Sequence, residues 1–158
     1  MDACGIDKIA ATSNLDVQTV QTLTDKLVEN PGSLPDTPAL KSLDFAVASM
    51  AIKTAVARHS GTLEKVFTPI GETFLQTGKD LRSVQKIVAT GGALIHAERA
   101  AEIVSHVFYD DVEPFSLRPE KPATLVDASY ILSAMGLLGA VYPKEALMLM
   151  KTNLKGAA

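Results

Sequence analysis

The chain has 158 residues, 47% of them hydrophobic and 21% charged, with a formal net charge of −3 at neutral pH. That length and balance suit one globular domain with its own core and exclude a disordered segment. The longest apolar stretch, Tyr130 to Tyr142, is shorter than a membrane span requires, and a weak negative charge without blocks of like sign offers nothing that attracts nucleic acid.

The first residues, MDACGIDKI, lack the basic region and apolar block of a secretory signal. Cys4 is the single cysteine, so no internal disulfide is expected and a reducing, cytoplasmic setting fits. The first dozen residues have no clear period and are expected to form a turn or a frayed end. Asn14 or Asp16 then caps a first helix, marked by Val17, Val20, Leu23, Thr24 and Leu27 at three-to-four spacing. Asn30-Pro31-Gly32 stops it, because Pro cannot continue a helix and Asn and Gly tolerate left-handed geometry.

In SLPDTPAL, Asp36 or Thr37 caps and Pro38 suits the first turn. The longest predicted helix runs from Ala39 to about His59, with Leu40, Leu43, Val47, Met50, Ala51 and Val56 on its apolar side. Its alanines make several faces small, which predicts packing on two sides, and Gly61 is expected to end it. Two short strands follow, Glu64–Thr68 and Thr73–Gln76, joined around Pro69-Ile70-Gly71. Gln85–Ala89 is a third strand, leading through Thr90-Gly91-Gly92 to a helix expected from Ile95 to Val107. DDVEPFSLRPEKPATL reads as an exposed connector. Leu125-Val126 is a last short strand, before closing helices at Ala128–Tyr142 and Pro143–Leu154. Strands alternate with helices in the second half only, so the fold class is α/β with excess helix.

Candidate chemistry is sparse. The two glycines after Thr90 let a backbone approach a ligand closely, and amides ahead of a helix favour an anionic group. Many strand-to-helix corners use glycine for geometry alone, and the spacing is not that of GxGxxG. Gly78-Lys79-Asp80 fails as a phosphate loop, since Asp80 stands where Ser or Thr should follow the lysine; a turn is expected. Arg58 and His59 suit a helix C-terminus through the dipole, with Arg58 kept as a candidate anion contact. His96 and His106 do not share a helix face and no metal-binding motif supports them. Asp110, Asp111 and Glu113 read as loop charges. No paired carboxylates and no nucleophile motif nominate catalytic residues.

Three strings occur in order: AVARHSGTLEKVFTPIGETFLQTGKDL, VQKIVATGGALIH and PATLVDASYILSAMGLLGAVYPKEALMLMK. Together, over residues 38–154, they resemble the C-terminal part of MutL/GlmL-type proteins, which are unrelated to the mismatch-repair protein sharing that name. Such proteins accompany adenosylcobalamin-dependent glutamate mutase and related aminomutases, and are similar to the actin/Hsp70/sugar-kinase superfamily of ATPases. The resemblance implies a reactivating or chaperone-like factor that uses ATP or ADP with magnesium. It also implies two lobes, each on a ribonuclease-H-like sheet, clasping the nucleotide. In those folds two hairpins hold the phosphates and a Gly-Gly turn before a helix contacts the adenosine. Thr90, Gly91 and Gly92 match that turn, and Ala93 by the same resemblance lines the nucleotide.

The family's DxGxT-like phosphate hairpin is absent, and a second phosphate segment, resembling EGDLGM, would lie upstream. The expectation is therefore a C-terminal lobe fragment of an actin-like ATPase. Residues 1–37 would supply a turn and short helix, and residues 38–158 the lobe. Alone it is expected to be catalytically inert and to bind nucleotide weakly or not at all. Its expected partners are the remaining N-terminal part of the parent protein, the mutase, and further copies of itself. The alternative is a helical interaction module with no nucleotide site, in which Thr90-Gly91-Gly92 only turns the chain.

Overall fold

A computed structural model describes residues 5–156; Cys4 lies outside them. Two side-chain caps set the long N-terminal helices. Asp16 accepts from the Thr19 backbone N–H at 2.8 Å and from the Thr19 hydroxyl at 2.7 Å, starting α2 (Val17–Glu29). The Thr37 hydroxyl accepts from the Leu40 N–H at 3.2 Å, with Pro38 opening α3 (Pro38–His59). Both starts follow from the sequence, because these side chains satisfy N–H groups that have no partner within the helix.

The expected N-terminal turn is instead a helix, α1 (Ile6–Ser13). Ile9 and Ala10 are buried with Val20, Leu43 and Ala46. Eight residues are too few for a helix to stand by propensity, so tertiary burial stabilises this one. α3 serves two cores, as its small faces predict. Leu43, Ala46 and Met50 close the first cluster, while Ile52 and Val56 pack against Ala89, Val104 and Val107 in the second.

Gly61 does not cap α3. Ser60 does, its N–H donating to Val56 O at 2.8 Å in extended backbone. Gly61 instead makes room: a Cβ there would lie 2.5 Å from Thr77 O and 2.8 Å from Gly78 C. The approaching chain closes the hairpin of β1 (Thr62–Thr68) and β2 (Gly71–Thr77), which pair antiparallel without a break from Thr62↔Thr77 to Thr68↔Gly71. Both strands fall where the β-branched and aromatic residues predict them.

A second sheet has three strands, in the order β3 (Lys86–Ala89), β4 (Ala123–Val126), β5 (Lys155–Gly156). β3 and β4 are parallel, with Ala89 opposite Val126; β5 is antiparallel to β4 and too short to show a sequence pattern. The helix expected over Ile95–Val107 is two pieces, α4 (Gly92–Ile95) and α5 (Ala100–Ser105). Between them Glu98 pairs with Lys41 at 2.6 Å and the Arg99 guanidinium lies 3.8 Å from the Phe45 ring centre. These contacts to α3 hold the intervening residues out of helical line.

The proline-rich connector is exposed only in part. Ser116, Leu117, Arg118 and Pro119 are buried, with Leu117 N–H donating to Gly61 O and Leu81 N–H donating to Leu117 O, each at 2.9 Å. Arg118 donates to Glu113 at 2.5 Å and lies 3.9 Å from Asp110, so two of the expected loop charges neutralise a buried guanidinium. The chain closes with α6 (Leu132–Gly139) and α7 (Pro143–Asn153) packed on each other. α6 starts four residues later than the sequence suggests, because Asp127 and Tyr130 form a corner first.

Candidate functional site

β3 and β4 run side by side and end at the same level, so the residues that follow them, Thr90 and Asp127, emerge together. Asp127 N–H donates to Ala89 O at 2.9 Å, continuing the ladder, and the Thr90 hydroxyl donates to Asp127 Oδ2 at 3.2 Å. Asp127 is 1% exposed. Its Oδ1 accepts from the Ile131 N–H and its Oδ2 from the Leu132 N–H, both at 3.0 Å. Burial alone would raise its carboxyl, but the hydrogen bonds from Leu132, Ile131 and Thr90 outweigh it and leave the group below its ordinary value. The carboxylate is therefore ionised near neutral pH and its oxygens are engaged. It organises the entry to α6.

After Thr90 the chain turns at Gly91, with φ 106° and ψ 147°. This is a region essentially confined to glycine. Gly92 has no such constraint, and a Cβ on it meets nothing within 4 Å. On the β4 side Tyr130 stands at φ 54°, left-handed geometry that is rare for a bulky side chain. Its N–H bonds to Asp127 O at 3.0 Å. Thr90, Gly91, Asp127, Tyr130, Leu132 and Ser133 line a cleft of about 370 Å³. Two strained or glycine-only backbone positions thus flank one cleft at the carboxyl ends of parallel strands.

Of the residues singled out in the sequence, Thr90 and Gly91 line this cleft. Gly92 and Ala93 follow in α4 and are exposed. Arg58 is exposed in the last turn of α3 and is not among the cleft residues. The sequence reading missed Asp127 and Tyr130. The signal available was an acid at the end of an apolar run, LVDAS, five residues before α6 begins. Gly78-Lys79-Asp80 is not the turn expected: Gly78 bends the chain at φ 83°, Lys79 bridges to Ser60, and the turn comes at Arg82-Ser83, where Val84 N–H donates to Leu81 O at 3.0 Å. The hydrogen bonds from Arg82 hold the Asp80 carboxyl down at about 2. Among the described residues no group of three His, Cys, Asp or Glu side chains is set to hold a metal ion, and no helix is long and apolar enough to cross a membrane.

Comparison with known proteins agrees with the resemblance read from the three strings. Residues 1–154 match the family described as MutL protein. The chain is 38% identical over 121 residues to Protein MutL of Clostridium tetanomorphum, a match covering 77% of this chain and 26% of that protein. This chain thus spans about a quarter of the relative's length. No solved structure matches it. On the family match over nearly its whole length, the chain belongs to the MutL protein family.

Proposed function

We propose that this chain is the nucleoside-facing part of the C-terminal lobe of a larger MutL protein of actin-like, ribonuclease-H-like architecture. The larger protein would be a cytoplasmic, ATP-dependent reactivating factor for an adenosylcobalamin-dependent mutase of the glutamate mutase type. One observation carries the reading: the Thr90-Gly91-Gly92 corner sits at the carboxyl ends of two parallel strands, beside a cleft. Open α/β sheets bind ligands at that end.

The chemistry of the lining favours ribose and base over phosphate. Thr90 gives its single proton to Asp127, so toward a ligand it offers only oxygen lone pairs and suits a sugar hydroxyl that donates. The exposed Tyr130 ring and Leu132 offer apolar surface on which a base can lie. No lysine or arginine lines the cleft, and the Asp127 charge repels phosphate. Magnesium does not fit here either, since the carboxylate already accepts three donors. Phosphates and metal would be held by residues outside this chain, which alone would not hydrolyse ATP.

Calorimetric titration of adenosine and ADP tests this. The chain should bind adenosine weakly and ADP no more tightly, whereas the longer Clostridium tetanomorphum protein should bind ADP much more tightly than adenosine. No heat with either protein would sink the nucleotide reading. A second reading, an interaction module without a nucleotide site, draws on exposed apolar side chains such as Ile70, Leu137 and Val141, and it is the one that predicts no heat.

A further inference from the structure

The outer edge of β2 has no backbone partner among the described residues. All seven of its residues are exposed. Open edges invite another strand, and proteins ordinarily blunt them by brevity, by Lys or Pro, or by a bulge. The second sheet follows that rule, since its edge strands β3 and β5 have four and two residues. β2 does not. GETFLQT carries one charge, Glu72, and neither Lys nor Pro, and its register with β1 runs unbroken. The inner side of the hairpin is held differently: Leu63 N–H donates to Phe115 O at 2.8 Å, and Phe74 lies with its ring centre 6.2 Å from that of Phe115. The hairpin is thus anchored along β1 and open along β2.

We propose that β2 is a dimerisation edge, on which a second copy of this chain pairs antiparallel about Phe74 to make a continuous four-stranded sheet. The strand is self-complementary in that register. Its centre is residue 74, so all seven residues pair, Gly71 with Thr77 of the other copy and so outward from the middle. Glu72 falls opposite Gln76, an acceptor facing an amide donor, and no like charges meet. Phe74 falls opposite itself, bringing two half-exposed rings and their Phe115 neighbours into one apolar cluster. On the other face Leu75 falls opposite Thr73. Moving the two-fold one residue either way puts Phe74 against Gln76 or Glu72 against Phe74 and leaves an end unpaired. A two-fold interface of this kind closes on itself.

Sedimentation equilibrium on the 158-residue chain, between about 1 μM and 1 mM, tests the proposal. The expected result is a monomer–dimer equilibrium reaching twice 16.7 kDa. Gln76 is exposed, so charge can be placed there without disturbing a core. Q76E sets a carboxylate opposite Glu72 in both halves of the interface and should weaken the dimer. Q76K sets an ammonium there and should strengthen it. Each shift should be roughly two- to thirtyfold in Kd. The direction separates the interface from the monomer: within one hairpin Lys65, on the same face and paired with Glu72 at 2.8 Å, favours a carboxylate over an ammonium at position 76, the reverse of the effect expected on the dimer. For the register, F74C in a C4S background should form an intermolecular disulfide across the two-fold, and E72C in the same background should not. A chain that stays monomeric at 1 mM, or a dimer indifferent to both charges, overturns the proposal.

Discussion

Thr90 and Asp127, 37 residues apart, are joined by one hydrogen bond across the carboxyl ends of two parallel strands. The bond fixes the direction of the threonine's proton, because an ionised carboxylate can only accept. If a sugar hydroxyl donates to the same oxygen, Thr90→Val removes that acceptor and should lower adenosine affinity by about two- to tenfold. Thr90→Ser should keep it. In Thr90→Val the Asp127 carboxyl should also rise, having lost one of its three donors. Titration calorimetry and carboxyl NMR shifts read the two effects separately, and unchanged adenosine affinity would remove Thr90 from the site.

The two corner glycines separate folding from binding. Gly91 lies at φ 106°, so Gly91→Ala should cost about 1–3 kcal/mol of stability. Gly92 has open space where a Cβ would go, so Gly92→Ala should fold with unchanged or slightly raised stability. If the ligand rests against the backbone there, Gly92→Val should fold and fail to bind. A Gly92→Val protein with intact adenosine binding would mean that this glycine only turns the chain. Chemical denaturation beside calorimetry distinguishes the two.

Tyr130 sets stability against binding in one side chain. Its left-handed backbone costs about 1–2 kcal/mol relative to ordinary geometry, and the ring is exposed at the mouth of the cleft. Tyr130→Gly should leave stability unchanged or raise it by up to about 1 kcal/mol. Removing the ring should lower adenosine affinity by about five- to a hundredfold if a base stacks on it. Loss of stability without loss of affinity would invert both assignments.

What was legible in the sequence was local. Asp16, Thr37 and Pro38 announce helix starts through caps a few residues long, and Val66, Phe67, Thr73 and Phe74 announce the hairpin through β-branched and aromatic content. α1 was not legible, because Ile9 and Ala10 are helical only by lying against Val20 and Leu43. Nor was the break between α4 and α5, which depends on Lys41 and Phe45 in a distant helix. The corner glycines stood out as residue types, whereas Asp127 is an ordinary acid until the strand pairing brings Thr90 beside it. Buried Arg118 shows the same limit, since a proline-rich stretch does not announce a side chain 1% exposed.

Gly61 and Gly78 face each other where the hairpin meets the end of α3. A Cβ on Gly61 would press on backbone atoms of Thr77, Gly78 and Lys79 at 2.5–2.9 Å, and one on Gly78 would lie 2.9 Å from Gly61 Cα. Backbone cannot swing aside as a side chain does. Gly61→Ala should therefore cost about 1–3 kcal/mol, and Gly78→Ala a similar amount, since it also sits at φ 83°. The double variant should cost less than the sum, because the separation of the two chains that admits one methyl also makes room for the other. Urea denaturation checks this, and a neutral Gly61→Ala would show that the approach is loose.

Acid should weaken the fold in two windows, the first through His106 and the second through depressed carboxyls, among them Asp16, Asp80 and Asp127. His106 sits below its ordinary value, through burial first and the nearby Lys53 charge second, with Glu102 opposing. The unfolded chain therefore takes up that proton first, and the stability tied to neutral His106 is present above about pH 6.5 and lost as pH falls through the folded value. The Asp16 carboxyl lies below 3.8, held down first by the Thr19 hydroxyl and then by the Thr19 N–H. Its contribution is complete above 3.8 and lost as pH falls through its folded value, when the cap of α2 is protonated. His106→Gln should flatten the Tm profile in the first window only. Asp16→Asn, which still accepts a hydrogen bond at the cap, should match the parent near neutrality and lessen the fall in the second window only, leaving the part that Asp80 and Asp127 contribute. Thermal unfolding followed by circular dichroism from pH 7 to pH 2 resolves the two, and a variant whose profile parallels the parent throughout would show that its group does not govern that window.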